Sequence, residues 1–469
     1  MASASSNSVT VIARHPVVCA NESSWTALDS PFRLGAFDQV AGFVPIQIVW
    51  VYEQLSSSIE LIPIERLQRA MERLLDYYPQ LSGRLQIDSG DGTLGNRSPR
   101  HCSPESRLQY LPGAGNALLA PFDPTLDAVY RDPVFIVQHT RFACGSVALG
   151  VRCHHSVCDA DGFFQLVRDL AELYRGLGSS ENILAHPPHI RPYMSELVSP
   201  QERQAALDFQ TPLFHVNPLA DRDSTAADTS ASATASLSPP PPVEGRFLRF
   251  SSARLAALKS LATDPSGGDW ISTFDALSAY IYQRVHQARL WLSTTDPSFG
   301  ELSRTDFLTP INLRGRLGLP ARYFPNAFFT SYTTIPSEML ITGPLWQVAK
   351  IVHDLTRTSF LTSKDGLNGT LKWIAAQPDM RNIGPGFRYG NGSFMVSQWN
   401  KFDMYAGTVF DIAPVLVSPP FTHISLVDGL AFFLQTEEIG KGGDAGAIDL
   451  SLALAQPLWA IMDRDGPLA

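Results

Sequence analysis

Apolar residues recur at helical spacing in four stretches of the chain. Over Pro63–Tyr78, the residues Ile64, Leu67, Met71, Leu74, Leu75 and Tyr78 share one face, and Pro63 suits the first turn because it has no N–H to lose. Gly162–Arg175 carries Phe163, Val167, Leu170, Ala171 and Tyr174 in register, with Asp161 as a candidate N-cap. Phe274–Arg289 aligns Phe274, Leu277, Ile281 and Val285 behind Thr273 as a candidate cap, and Leu345–Thr358 uses Val348, Ile351, Val352 and Leu355. Strand patterns lie between them. Ile46–Tyr52 is an apolar run, and Ser146–Cys153 alternates with Val147, Leu149, Val151 and Cys153 on one side. Phe307–Ile311, Val409–Val417 and Leu430–Gln435 also read as strands. Each half therefore mixes helix and strand, which predicts an α/β (α+β) fold with one layered domain per half.

The boundary between the halves falls where the pattern stops. Residues 218–245 are rich in Ser, Ala, Thr and Pro, with four consecutive prolines near the end. Such a stretch buries too little apolar surface to offset its ordering entropy and reads as a linker between a domain at 1–217 and a second at 246–469. With 469 residues the chain has ample core-forming capacity. A net charge of −9 disfavours a general nucleic-acid binder. No apolar run reaches the roughly 18–20 residues of a membrane helix, and the first 20 residues lack the pattern of a secretory signal. Five cysteines without a CxxC make a disulfide framework unexpected. A cytoplasmic, monomeric protein without nucleic-acid or membrane partners is the expectation.

The densest polar cluster runs from Cys153 to Gly162, between a strand pattern and a helix pattern, where α/β proteins tend to display functional side chains. Three readings compete for it. His154 and His155 can be structural, with Asp159 and Asp161 as turn and cap residues. The cluster can bind a metal, although adjacent histidines lack the spacing of a structural zinc site. Or one histidine is a general base, a task its ordinary pKa suits. No metal is expected. Gly90–Gly95 matches G-x-G-x-x-G, but the next residues, Asn96-Arg97-Ser98-Pro99, make no helix start, so the motif reads as a loop or hairpin turn.

The chain resembles the BAHD acyltransferase family. His155-Ser156-Val157-Cys158-Asp159 is similar to its HxxxD signature, with Ala160 where the family has Gly, and with Gly162 and Gln165 after it. Leu74–Leu85, Ile271–Val285, Asn312–Asn326 and Ser397–Tyr405 resemble further family segments in the same order. The second signature, DFGWG, is absent, and Thr408-Val409-Phe410-Asp411-Ile412 stands in its place.

The resemblance implies two chloramphenicol-acetyltransferase-like domains, each a mixed β-sheet with flanking helices, and an active-site tunnel at their interface. A segment near 375–405 is expected to cross to the first domain's sheet. The implied catalytic motif is His155 and Asp159. His155 deprotonates an acceptor hydroxyl or amine, which attacks an acyl-CoA thioester directly. Asp159 pairs with Arg314, or alternatively Arg316. Ser397 and Trp399 match positions that offer donors to the reacting carbonyl. Acyl-CoA is the cosubstrate, no permanently bound cofactor is expected, and a small-molecule alcohol or amine, such as a secondary metabolite, is the acceptor. The doubled His154-His155 also resembles the HHxxxDG of carrier-protein-dependent condensation domains. The lost second signature leaves open a non-catalytic binding protein on the same scaffold.

Overall fold

The computed structural model describes residues 9–29, 31–42, 44–54, 60–87, 94–97, 106–108, 115–123, 125–178, 183–194, 198–217, 241–267, 270–357, 362–437 and 443–464. Two sheets organise them. The first has four antiparallel strands in the order Leu416–Ser418, Pro45–Tyr52, Val147–His154, Phe135–Arg141. Every residue of Val147–His154 is buried, so the strand is covered on both faces and not only on the alternating one. Val147, Leu149, Val151 and Cys153 join the main core with Leu67, Leu74, Phe163 and Leu170 of the two helices Ile64–Tyr77 and Ala160–Gly176. Ala148 meets Val49, Leu118 and Leu119 on the other face. Gly150 is required there, because a Cβ would lie 1.6 Å from the Leu118 carbonyl oxygen.

The second sheet has six strands in the order Val243–Phe250, Ile448–Ala455, Leu430–Gln435, Phe394–Gln398, Asp306–Asn312, Phe328–Thr334. Phe394–Gln398 runs parallel to both neighbours, and the other pairings are antiparallel, so the sheet is mixed. Its core takes Leu277, Ile281 and Val285 from the helix Thr273–Thr295, Val348 and Val352 from Leu345–Arg357, and Leu458 from Gln456–Arg464. This is a mixed α/β fold of two principal sheets with flanking helices, and three smaller sheets of two or three strands complete the described residues.

The first core is not built from the first half alone. Phe324, Trp399, Met404, Phe410 and Val417 all sit in it. Trp50 Nε1 donates to Met404 O at 3.2 Å and the Tyr52 hydroxyl to Thr408 O at 2.9 Å. The passage between sheets runs through 399–418, which overlaps the expected 375–405 at 399–405 and extends beyond it. Phe394–Gln398 is bound in the large sheet on both edges, and its Phe394 and Val396 fill the second core.

Three other local expectations are corrected. Asp159, not Asp161, caps the helix Ala160–Gly176, accepting from Gly162 N at 3.1 Å, which leaves Asp161 in the first turn. Ser272, not Thr273, caps Thr273–Thr295, in a capping box with Asp275. Val409–Val417 is not one strand. Pro414 has no N–H for a ladder, Asp411 is drawn to Ile62 N at 2.7 Å, and only Leu416–Ser418 pairs. Of the expected linker, 218–240 lies outside the described residues, and Val243 already begins the edge strand of the large sheet. Of the glycine motif, 90–93 lies outside them, and Leu94–Arg97 pairs antiparallel with Arg84–Ile87. Among the described residues no helix is long and apolar enough to cross a membrane.

Candidate active site

His155 leaves the end of the buried strand Val147–His154, and its backbone N–H donates to Val44 O at 2.9 Å, which ties the turn to the neighbouring chain segment. Four residues later Asp159 starts the helix. Its carboxylate is fully engaged. One oxygen accepts from Gly162 N at 3.1 Å and from Arg314 Nη2 at 2.8 Å; the other accepts from Arg314 Nη1 at 2.7 Å and Ala327 N at 2.9 Å. Asp159 is thus at once a helix cap and an interdomain anchor, and it is turned toward these donors, not toward the base.

Arg314 is held from its other side as well. Its Nε donates to Tyr323 O at 3.1 Å and Nη2 to Pro325 O at 2.8 Å, and the guanidinium lies 5.6 Å from the Tyr323 ring centroid. Asn312 completes the local turn, accepting from Arg314 N at 3.0 Å and donating to Asp161 at 2.9 Å. Arg316 goes elsewhere: its Nη2 donates to Thr356 O at 2.6 Å. The structure therefore brings Arg314, and not Arg316, to Asp159.

The His155 ring is half-buried beside Phe328, with ring centroids 5.3 Å apart. Burial pushes its pKa below the ordinary imidazole value, against the opposing pull of Asp159 and the Asn326 side chain. At neutral pH the ring is uncharged, with a lone pair available to take a proton. His154 faces the other way, lining a small pocket with Pro45, Phe122, Val134 and Arg152. Burial, then the charges of His155 and Arg152, drive its pKa down to about 3, and Ser156 N donates to its Nδ1 at 3.3 Å.

Cys153 and Cys158 flank the base with their sulfurs 3.7 Å apart, both buried. Burial raises the Cys158 thiol pKa well above its usual value, so it stays protonated and is no nucleophile. Among the described residues no group of His, Cys, Asp and Glu is arranged to hold a metal ion.

Trp399 is buried, edge-on to Phe164 of the helix that Asp159 caps, at 5.8 Å, and to Phe432 at 4.8 Å. Ser397 is half-buried on the large sheet in register with Phe432. Among the described residues no hydrogen bond joins either of them to His155. In place of the second signature, Asp411 accepts from Ile62 N, from the Tyr174 hydroxyl at 2.8 Å and from Arg66 at 3.3 Å, so this segment is docked onto the first domain.

Two further hydrogen-bonded sets lie outside the residues named as site candidates. Gln165 donates to the Tyr78 hydroxyl at 3.1 Å and to Arg322 O at 3.2 Å, while Asp169 accepts from Tyr78 and Arg322 at 2.5 Å. Asn326 donates its side-chain amide to the His155 carbonyl at 2.8 Å and to buried Asp38 at 2.8 Å. Asn326 closes the Asn312–Asn326 segment that resembles the family, but nothing in the local pattern marks Asp38.

A family model described as Transferase family matches residues 7–95 and 110–434. Among similar proteins, hydroxycinnamoyltransferase 2 of rice is 28% identical over 410 residues, covering 82% of this chain and 84% of that protein. The O-acetyltransferase epaC of Aspergillus niger is 24% identical, covering 76% and 80%. Among solved structures, TRI101 of F. graminearum, complexed with coenzyme A and T-2 mycotoxin, superposes with a TM-score of 0.65 at 18% identity, covering 93% of this chain and 97% of that one. Vinorine synthase gives 0.62 at 15% identity, covering 96% and 95%.

Proposed function

From the premise that the chain belongs to the BAHD acyltransferase family and transfers acyl groups to small-molecule acceptors, we propose that its donor is an acyl-CoA thioester and its base is His155. The observation that carries this reading is the half-buried imidazole of His155 beside Phe328, on a loop anchored by Asp159 and Arg314. The imidazole takes the proton of an acceptor hydroxyl or amine as that atom attacks the thioester carbonyl. The tetrahedral intermediate collapses with cleavage of the C–S bond, and the departing thiolate takes the proton back from the imidazolium. No covalent acyl-enzyme forms, in keeping with the protonated state of Cys158.

The negative charge on the carbonyl oxygen needs donors. The Ser397 hydroxyl and the Trp399 indole N–H are assigned that task. Coenzyme A is a substrate here and not a resident group; its presence in complexes of a structural neighbour supports the choice of donor. The acceptor is read as a secondary metabolite. The test is release of free thiol from acyl-CoA in the presence of an alcohol or amine. Turnover only with carrier-protein-bound acyl groups would instead favour the condensation-domain reading, and ligand-induced stabilisation without turnover the binding-protein reading.

A further inference from the structure

We propose that Asp38 is a positioning residue for the base: it fixes Asn326, and through the Asn326 amide it fixes the backbone carbonyl of His155. The inference rests on the reading of His155 as the base.

Asp38 lies in the short helix Ala36–Gln39 and is only 1% exposed. One carboxylate oxygen accepts from Gly35 N at 2.8 Å; the other accepts from Asn326 N at 3.1 Å and Asn326 Nδ2 at 2.8 Å. The same Nδ2 donates its second hydrogen to His155 O at 2.8 Å, and Asn326 is fully buried. The next amide along, Ala327 N, goes to Asp159. Two consecutive backbone amides of one segment are therefore gripped by two carboxylates of the first half, and the residue after them, Phe328, touches the His155 ring.

No Lys, Arg or His pairs with Asp38 among the described residues. A buried carboxylate without a cation is costly, and N–H donors are what offset it. The charged and titratable groups that face it are Asp159, Tyr323 and Cys158. Burial foremost raises its pKa to about 7, against the pull of Asn326 and Gly35. Protonation turns one acceptor oxygen into a donor and loosens the grip on Asn326. Protonation of Asp38 therefore weakens the hold of Asn326 on the His155 carbonyl.

The test compares wild type, Asp38→Asn, Asn326→Ala and the double variant by steady-state thiol release across pH. Each single variant is expected to lose up to about 10²-fold in kcat with KM little changed, as for a displaced catalytic group. The double variant should lose no more than the worse single one, since both act through one chain of bonds. The acid limb of the wild-type kcat profile near neutrality should vanish in Asp38→Asn. A variant with wild-type kcat and profile, or strictly additive losses, overturns the proposal. If Asp38→Asn does not fold, Asn326→Ala carries the same test. A second readout does not need turnover: the His155 ring signals in NMR, assigned by their loss in His155→Ala, should shift with a midpoint near pH 7 in wild type and not in Asp38→Asn or Asn326→Ala. Unchanged titration in the variants overturns the Asp38 link even if the protein turns over no acyl-CoA, whereas absent turnover alone sinks the assignment of the base.

Discussion

The Asp159 carboxylate and the Arg314 guanidinium meet in two hydrogen bonds of 2.7 and 2.8 Å, joining segments 155 residues apart in the chain. The geometry is bidentate, which fixes angle as well as distance. Together with the bond to Ala327 N, it closes the second domain onto the loop that carries His155.

Removing one partner strands the other as a buried charge. Asp159→Ala and Arg314→Ala are each expected to cost about 3–5 kcal/mol in urea unfolding. Arg316→Ala gives up a bond to a carbonyl and should cost about 1 kcal/mol. Equal costs for Arg314 and Arg316 would contradict the pairing.

The glycine after the motif is a packing requirement. A Cβ on Gly162 would stand 2.0 Å from the Phe324 carbonyl oxygen, a backbone atom of the second domain. Gly162→Ala should lower stability and activity together, since the domains must part to accommodate it. Ala160, where the family has Gly, is half-buried in the first helical position. Ala160→Gly should change stability by no more than about 1 kcal/mol. The departure from the signature is thus at the tolerant position.

His154 is one source of acid sensitivity. Its folded-state pKa of about 3 lies below the ordinary imidazole value, so on acidification the unfolded chain takes the proton first. The stability contributed by the neutral ring is present above roughly pH 6.5 and is lost as pH falls from there toward about 3. Within that window His154→Leu should flatten the pH dependence of the unfolding free energy by about 1.4 kcal/mol per pH unit relative to wild type. Parallel curves would mean the ring is not held neutral.

The oxyanion assignment separates by chemistry from packing. Trp399→Phe keeps a ring against Phe164 and Phe432 but removes the N–H, and Ser397→Ala removes the hydroxyl. Each should lower kcat by about 10²–10³ with little change in unfolding midpoint, if each donates to the oxyanion. A loss of stability without loss of kcat would assign Trp399 to the core alone.

The parts of this molecule legible in its sequence are those set by periodicity and short spacing. The helix from Ile64 to Tyr77 and the strand Leu430–Gln435 follow from apolar pattern, whereas the cap of Thr273–Thr295 is Ser272 and not the expected Thr273. What pattern could not show is long-range pairing. Leu416–Ser418 is too short for a periodic signal and is a strand only because Pro45–Tyr52 offers it an edge. Asp38 looks like any surface aspartate until Asn326, 288 residues away, is folded onto it. Arg314 and Arg316 stand two positions apart in similar local sequence; the choice between them is made by the turn that aims Arg314 at Asp159 and Arg316 at Thr356.

The most direct test of base catalysis by His155 is thiol release from a panel of acyl-CoAs with alcohols and amines, comparing wild type with His155→Ala and quantifying product and protein-bound acyl group in parallel. The account predicts thiol and acylated product in equal amounts, no acyl group on the protein, and a loss of about 10²–10⁴-fold in His155→Ala with its unfolding transition intact. Wild-type turnover by His155→Ala, or an acyl group accumulating on the protein, would contradict it.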